Sequence, residues 1–221
     1  MNIRKIDWKK YTPLLSMLVF PFLGAMYAWT NGLSANEEVY HLATWVDDLI
    51  PVIHYFALPY SVWIFYIYVC LVYFFIKDPN TYYRGLLTYT VCALLCYLIY
   101  SVFQTTVPRP LVTGQDPFSE LLRFIYNRDL PFNCFPSIHC FSSYMVMRMV
   151  WTSSFRNRWN VTLITTMSSL IIMSTLFVKQ HVILDVISAI LLVEIVIPLL
   201  LVAERKLKAV RAHRQKGTFG A

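Results

Sequence analysis

Apolar residues in this 221-residue chain are gathered into blocks about as long as a bilayer is thick, and this constrains the fold more than any other feature. A helix needs about 20 mostly apolar residues to span the hydrocarbon core. Six such blocks are present, at about 12–30, 53–76, 85–107, 137–153, 161–179 and 181–203. The fourth is short and is interrupted by Arg148. Only Lys179-Gln180 separates the fifth from the sixth, which implies a tight turn at a membrane face. Composition agrees. The chain is 57% hydrophobic and 14% charged, with mean hydropathy +0.53, whereas soluble domains are nearer half apolar and a quarter charged. The expected fold class is all-α: a polytopic membrane protein with six transmembrane helices, one membrane domain over 1–221 and a basic tail over 204–221. The N-terminal block lacks a convincing small-x-small cleavage site, so it reads as an uncleaved first span.

The charges orient the bundle. Of 19 Lys and Arg, fourteen lie in the N-terminal stretch, the 77–84 and 153–160 loops and the C-terminal tail, all on one side of a six-span topology. These run from Arg4, Lys5, Lys9 and Lys10 to Arg211, Arg214 and Lys216. The opposite side holds only Arg109, Arg123, Arg128 and Lys179, and Arg148 falls inside a span. The positive-inside rule then puts both termini in the cytoplasm. The net charge of +7 therefore reads as a topology signal that also touches anionic lipid, and nucleic acid is not an expected partner. Residues 31–52 carry Glu37, Glu38, Asp47 and Asp48 and no basic residue. In the longest connection, 108–136, the segment 117–126 reads either as a short amphipathic helix in the interface or as a plain loop with aromatic anchors. The five cysteines show no C-x-x-C pair and no zinc spacing, and a Cys134–Cys140 disulfide is not expected.

Two short motifs place proton-transferring groups at the edges of apolar blocks, where burial is costly and usually functional. They are Phe135-Pro136-Ser137-Ile138-His139 and Lys179-Gln180-His181-Val182-Ile183-Leu184-Asp185. With Arg109, these residues fall on one face of the predicted topology although they come from three connections. His181 and Asp185 are spaced i, i+4, on one face of a helix. A carboxylate there can fix the imidazole tautomer and leave the other nitrogen as nucleophile or base. The plainer alternative is an interfacial His–Asp pair that satisfies itself. Ser137 follows a proline and opens an apolar run, as a helix N-cap does, and such a helix end also suits phosphate. Arg109, between Pro108 and Pro110, can grip phosphate oxygens bidentately, or it can snorkel. Lys179 supplies a second positive charge or marks a span boundary. Arg148 and Glu194 lie nine residues along from His139 and Asp185, about 13 Å deeper on neighbouring helices. They are expected to pair; the alternative is that Arg148 reaches the cytoplasmic face.

"VPRP", "FPSIH" and "HVILD" together resemble the type-2 phosphatidic acid phosphatase superfamily, whose signatures run KxxxxxxRP, PSGH and SRxxxxxHxxxD. The resemblance covers the third to sixth blocks in order and spacing. The stretch from Asp129 to His139 is most similar to the branch containing inositol phosphorylceramide synthases. The chain departs from the pattern at Val102, Ile138 and Thr175, where the signatures carry lysine, glycine and arginine. Two of the usual phosphate-binding cations are thus absent, with Arg123 and Arg128 available from the loop.

The resemblance implies a helical bundle and metal-independent, cofactor-free phosphoryl transfer. In it His181 is the nucleophile that forms a phosphohistidine, Asp185 orients it, and His139 is the general acid and then base. Arg109, Ser137 and Lys179 bind the phosphate. The expected enzyme is a lipid phosphatase or phosphotransferase of the cell membrane, with a membrane lipid as substrate and its site on the extracytoplasmic face. Water as acceptor gives a phosphatase; an alcohol gives a head-group phosphotransferase, and fewer cations favour a phosphodiester over a dianionic monoester. From another class, a non-catalytic membrane protein or transporter is the competing reading.

Overall fold

The computed structural model describes residues 8–33 and 38–218, with side chains over 12–32 and 38–211. Arg4, Lys5 and Glu37 lie outside the described residues, as do the side chains of Lys9, Lys10, Arg214 and Lys216. A 3-10 segment, Trp8–Leu18, runs into α1 (Val19–Leu33). The short helices α2 (Trp45–Asp48) and α3 (Ala57–Ser61) lead into α4 (Trp63–Lys77) and α5 (Pro79–Val102). Then come α6 (Pro117–Arg128), α7 (Ile138–Thr152), α8 (Arg158–Phe177) and α9 (Ile183–Thr218). The protein is a helical membrane-type bundle, as its sequence predicts.

Among the described residues, five helical runs are long and apolar enough to cross a membrane: Thr12–Gly32, His54–Lys77, Pro79–Val102, Arg158–Phe177 and Ile183–Arg211. The expected fourth span is different. At 15 residues α7 is about 22 Å long, short of a hydrocarbon core of about 30 Å. It does not have to match lipid, because it packs against α4, α5, α8 and α9. Phe141, Met145, Val146 and Val150 are fully buried in the main core.

Boundaries follow local chemistry. The third span starts at Pro79 rather than 85, because Asp78 caps it through the Asn80 N–H and Pro79 suits the first helical position. It ends at Val102 rather than 107. Beyond it, Thr105–Thr106 (β2) pairs in parallel with Tyr40–His41 (β1), tying this connection to the one after α1. The segment 117–126 is helical, in α6. Asp116 caps it, and Leu122 and Ile125 pack on Ala57, Tyr60 and Val178. The expected tail from 204 continues α9 unbroken to Thr218. There Glu204 bridges Arg84 at 3.1 Å and Lys208 at 2.5 Å.

The expected intramembrane pair forms. Arg148 Nε donates to Glu194 Oε1 at 2.6 Å, and Tyr144 Oη donates to the same oxygen at 2.6 Å. All five cysteines are buried and free, so Cys134 and Cys140 are not bridged.

Candidate active site

The C-terminal ends of α5 and α8 and the first turns of α7 and α9 meet at one end of the bundle. Two unusual backbone positions shape the approach. Asn133 has φ 56° and Lys179 has φ 52°, the left-handed region that glycine adopts most easily. Asn133 is held by Gln104: its N–H donates to Gln104 Oε1 at 2.8 Å, and its Oδ1 accepts from Gln104 Nε2 at 2.8 Å. After a cis Phe135–Pro136 bond, Ser137 caps α7 by accepting the Cys140 N–H at 3.2 Å. The Ser137 N–H in turn donates to the Asp185 carbonyl at 3.3 Å, joining the first turns of α7 and α9. At the other approach, the Gln180 and His181 N–H groups both donate to the Thr175 carbonyl, at 3.0 and 3.1 Å, closing the tight α8–α9 turn around Lys179.

His181 Nδ1 lies 3.2 Å from Asp185 Oδ2, which also accepts the Val182 N–H at 3.0 Å. Asp185 is fully buried, and its other oxygen has no hydrogen-bond partner among the described residues. His139 is held differently. Its ring stacks on Tyr60, with centroids 4.4 Å apart, and lies 4.0 Å from the Trp63 ring. Trp63 is fixed by donating Nε1–H to Ser142 Oγ at 2.7 Å, and Tyr60 by donating to Asp129 Oδ2 at 2.5 Å. The two imidazole centroids are 5.6 Å apart.

Two cavities meet at His181. The larger, about 540 Å³, is walled by aromatic and apolar side chains of α1, α4 and α5, and also contains His139, Arg128 and Asp129. The smaller, about 440 Å³, contains Arg109, Lys179, Asp47 and Asp48. Among the described residues, His181 alone is shared by the two linings. Arg109 donates to the Tyr126 carbonyl at 3.0 Å and to Gln180 Oε1, and its guanidinium lies over the Tyr126 ring at 4.8 Å; its Nε has no partner among the described residues. Lys179 Nζ donates to the Asp47 carbonyl at 2.7 Å.

The six residues singled out by sequence thus occupy one end of the bundle, with one distinction. His139, His181, Arg109 and Lys179 line cavities, and Asp185 stands directly behind His181. Ser137 lines neither cavity and is engaged as a cap. Of the three departures from the family pattern, Ile138 lines the larger cavity, whereas Val102 and Thr175 stand outside both. Val102 is 75% exposed, and Thr175 is fully buried, donating to the Ile172 carbonyl at 2.7 Å. Of the loop arginines, Arg123 is committed to the Val112 and Gly114 carbonyls, whereas Arg128 lines the larger cavity.

Sequence reasoning passed over Tyr60, Trp63, Asp129 and Asp47. Asp47 bonds the first N–H of α9, that of Ile183, at 2.8 Å and accepts from Thr44 Oγ1 at 2.7 Å. Burial alone would raise its pKa. The Ile183 and Thr44 hydrogen bonds and the Lys179 charge outweigh that and hold it below the usual carboxylate range. The signal for Asp47 was its place in a loop of acids without bases. Asp129 opens the stretch that carried the family resemblance.

A model of the PAP2 superfamily matches residues 33–199. Comparison with curated proteins and with solved structures gives no match. The matched region covers most of the chain and contains both histidine motifs and the Arg109 segment. The chain belongs to the PAP2 superfamily, whose members support phosphatase- or phosphotransferase-type chemistry on lipids.

Proposed function

We propose that this protein cleaves a lipid phosphate ester through a phosphohistidine on His181. One observation carries the reading: a histidine paired with a buried carboxylate stands between an apolar cavity holding a second histidine and a smaller cavity holding two cations. An oxygen-bound phosphorus at that junction is in reach of both rings. His181 attacks phosphorus with the nitrogen that Asp185 does not hold. Asp185 fixes the tautomer and balances the positive charge that develops on the ring. His139 gives a proton to the departing alkoxide, then takes one from the acceptor as the phosphohistidine is resolved. Arg109 and Lys179, with Arg128 from the other cavity, stabilise the charge growing on the phosphoryl oxygens.

The pair of cavities favours an alcohol acceptor over water. A phosphodiester has one substituent for each chamber: an acyl-bearing group against the aromatic wall, and a polar head group beside Arg109 and Asp48. The missing cations at Val102 and Thr175 support the same choice, because a diester carries one negative charge where a monoester carries two. This is the chemistry of the inositol phosphorylceramide synthase-like branch that the Asp129–His139 stretch resembles. The distribution of Lys and Arg supports cytoplasmic termini and a site on the outer face of the cell membrane. The whole chain acts as one membrane domain, with the bilayer and its lipids as partners.

The test offers purified protein labelled lipid phosphate monoesters and diesters, with and without alcohol acceptors and in the presence of chelator. Transfer of label to the alcohol supports the phosphotransferase. Release of inorganic phosphate from monoesters alone supports a phosphatase. No acid-labile label on the protein and no turnover with any substrate rejects the proposal.

A further inference from the structure

Cys134 takes no part in the chemistry above, yet it lies against the nucleophile. Its sulfur, one imidazole nitrogen of His181 and one carboxylate oxygen of Asp185 all lie within 4.8 Å of one another. The three residues are buried, at 2%, 7% and 0% exposure. The cysteine is free, and Asp185 Oδ1 has no hydrogen-bond partner among the described residues. We infer that Cys134, His181 and Asp185 form a binding site for a thiophilic divalent cation such as zinc, whose occupancy reversibly stops the enzyme. The inhibitory consequence rests on the reading of His181 as nucleophile; the binding does not.

The donor set selects the metal. One sulfur, one imidazole nitrogen and one carboxylate oxygen suit zinc, cadmium or cobalt, whereas magnesium and calcium prefer oxygen alone. Ligand atoms around tetrahedral zinc are separated by about 3.3–3.7 Å, given bonds of about 2.0–2.3 Å. His181 Nδ1 and Asp185 Oδ2 are already 3.2 Å apart, so modest side-chain rotation closes the set. Three protein ligands leave the fourth position to water or a phosphoryl oxygen. Because His181 lines both cavities, the ion has a route in. On binding, the Cys134 thiol gives its proton to solvent and the thiolate bonds the metal. If the metal takes Nδ1, the Asp185 hydrogen bond is lost; if it takes the other nitrogen, the nucleophilic lone pair is lost. Either outcome ends phosphoryl transfer until a chelator removes the ion.

The experiment measures zinc retained by the purified full chain after equilibration and desalting, alongside turnover with and without zinc. Wild type should hold one tightly bound zinc and lose turnover, with recovery on adding EDTA. Cys134→Ser and Cys134→Ala should keep basal turnover and bind zinc at least about 10- to 100-fold more weakly, the loss that removal of an outer-shell partner alone brings. Cobalt bound to the unaltered protein should show a thiolate charge-transfer band, which tests the sulfur ligand without any substitution. Unchanged zinc affinity in both cysteine variants, or cobalt without that band, overturns the site. Cys134-dependent zinc binding with turnover intact would keep the site and overturn the inhibitory role, and with it the assignment of His181.

Discussion

Helices α7 and α9 carry two polar clusters, one in their first turns and one nine residues further along, and the two are finished differently. In the deeper cluster Glu194 receives Arg148 and Tyr144, so two opposite charges on adjacent helices neutralise each other. In the first-turn cluster Asp185 is more deeply buried but faces an imidazole rather than a fixed cation, and one of its oxygens has no hydrogen-bond partner among the described residues. A buried carboxylate is costly unless its charge is answered. The deeper cluster answers it permanently, which suits packing. In the proposed mechanism the first-turn cluster leaves it for the charge that develops on His181 during reaction.

The strongest way to break this comparison is to remove the histidines. His181→Ala and His139→Ala should each lower turnover by at least about 10²–10⁴-fold, with normal membrane expression and folding. Retained turnover in both variants would sink the assignment. The deeper cluster should respond in the opposite sense. Arg148→Leu leaves Glu194 uncompensated and should destabilise by about 2.5–3.5 kcal/mol on membrane-insertion scales. Addition of Glu194→Leu should restore much of that loss, while turnover per folded molecule stays near wild type throughout. A fall in turnover that survives restored stability would mean that the two clusters are not separate. Arg148 and Glu194 side chains are 27% and 37% exposed within the protein, so lipid bears on the size of the effect.

The smallest effect belongs to Asp47, which joins the first-turn cluster to the loop after α1. Asp47→Asn weakens a helix-terminal bond and should cost about 1 kcal/mol. The pH dependence sharpens the point. A folded-state pKa below the unfolded value of about 3.9 means that the contribution is full above that value and disappears as pH falls through the folded one. Wild-type stability should therefore fall more steeply than that of Asp47→Asn between about pH 5 and pH 2. Parallel unfolding curves would show that the carboxylate charge is not what holds α9.

Much of the bundle was legible in the apolar blocks, because lipid-facing helices must be long and uniformly apolar. The length criterion lost its force at α7, which is walled by protein and need not span anything by itself. Boundaries shifted where a cap outweighed hydropathy, as at Asp78 and Pro79. His139, His181 and Asp185 were legible because they sit in short contiguous motifs. Tyr60, Trp63 and Asp129 were not, because only packing brings them to His139, and an aromatic pair near a span end otherwise reads as an interfacial belt. Arg148 and Glu194 could be paired in advance because equal depth on two spans that start from the same face is simple arithmetic.

The clasp between Asp47 and the start of α9 has a consequence for biosynthesis. The bonds Lys179 Nζ to the Asp47 carbonyl and Ile183 N–H to the Asp47 carboxylate join residues 132 and 136 positions apart. Neither can form until the α8–α9 turn has been made. The Asp47 end of the loop after α1 must therefore wait for these bonds through synthesis of almost the whole bundle, although β1 can pair with β2 once α5 has been made. The Asp47 clasp and the His181–Asp185 pair therefore form only when the final helix arrives.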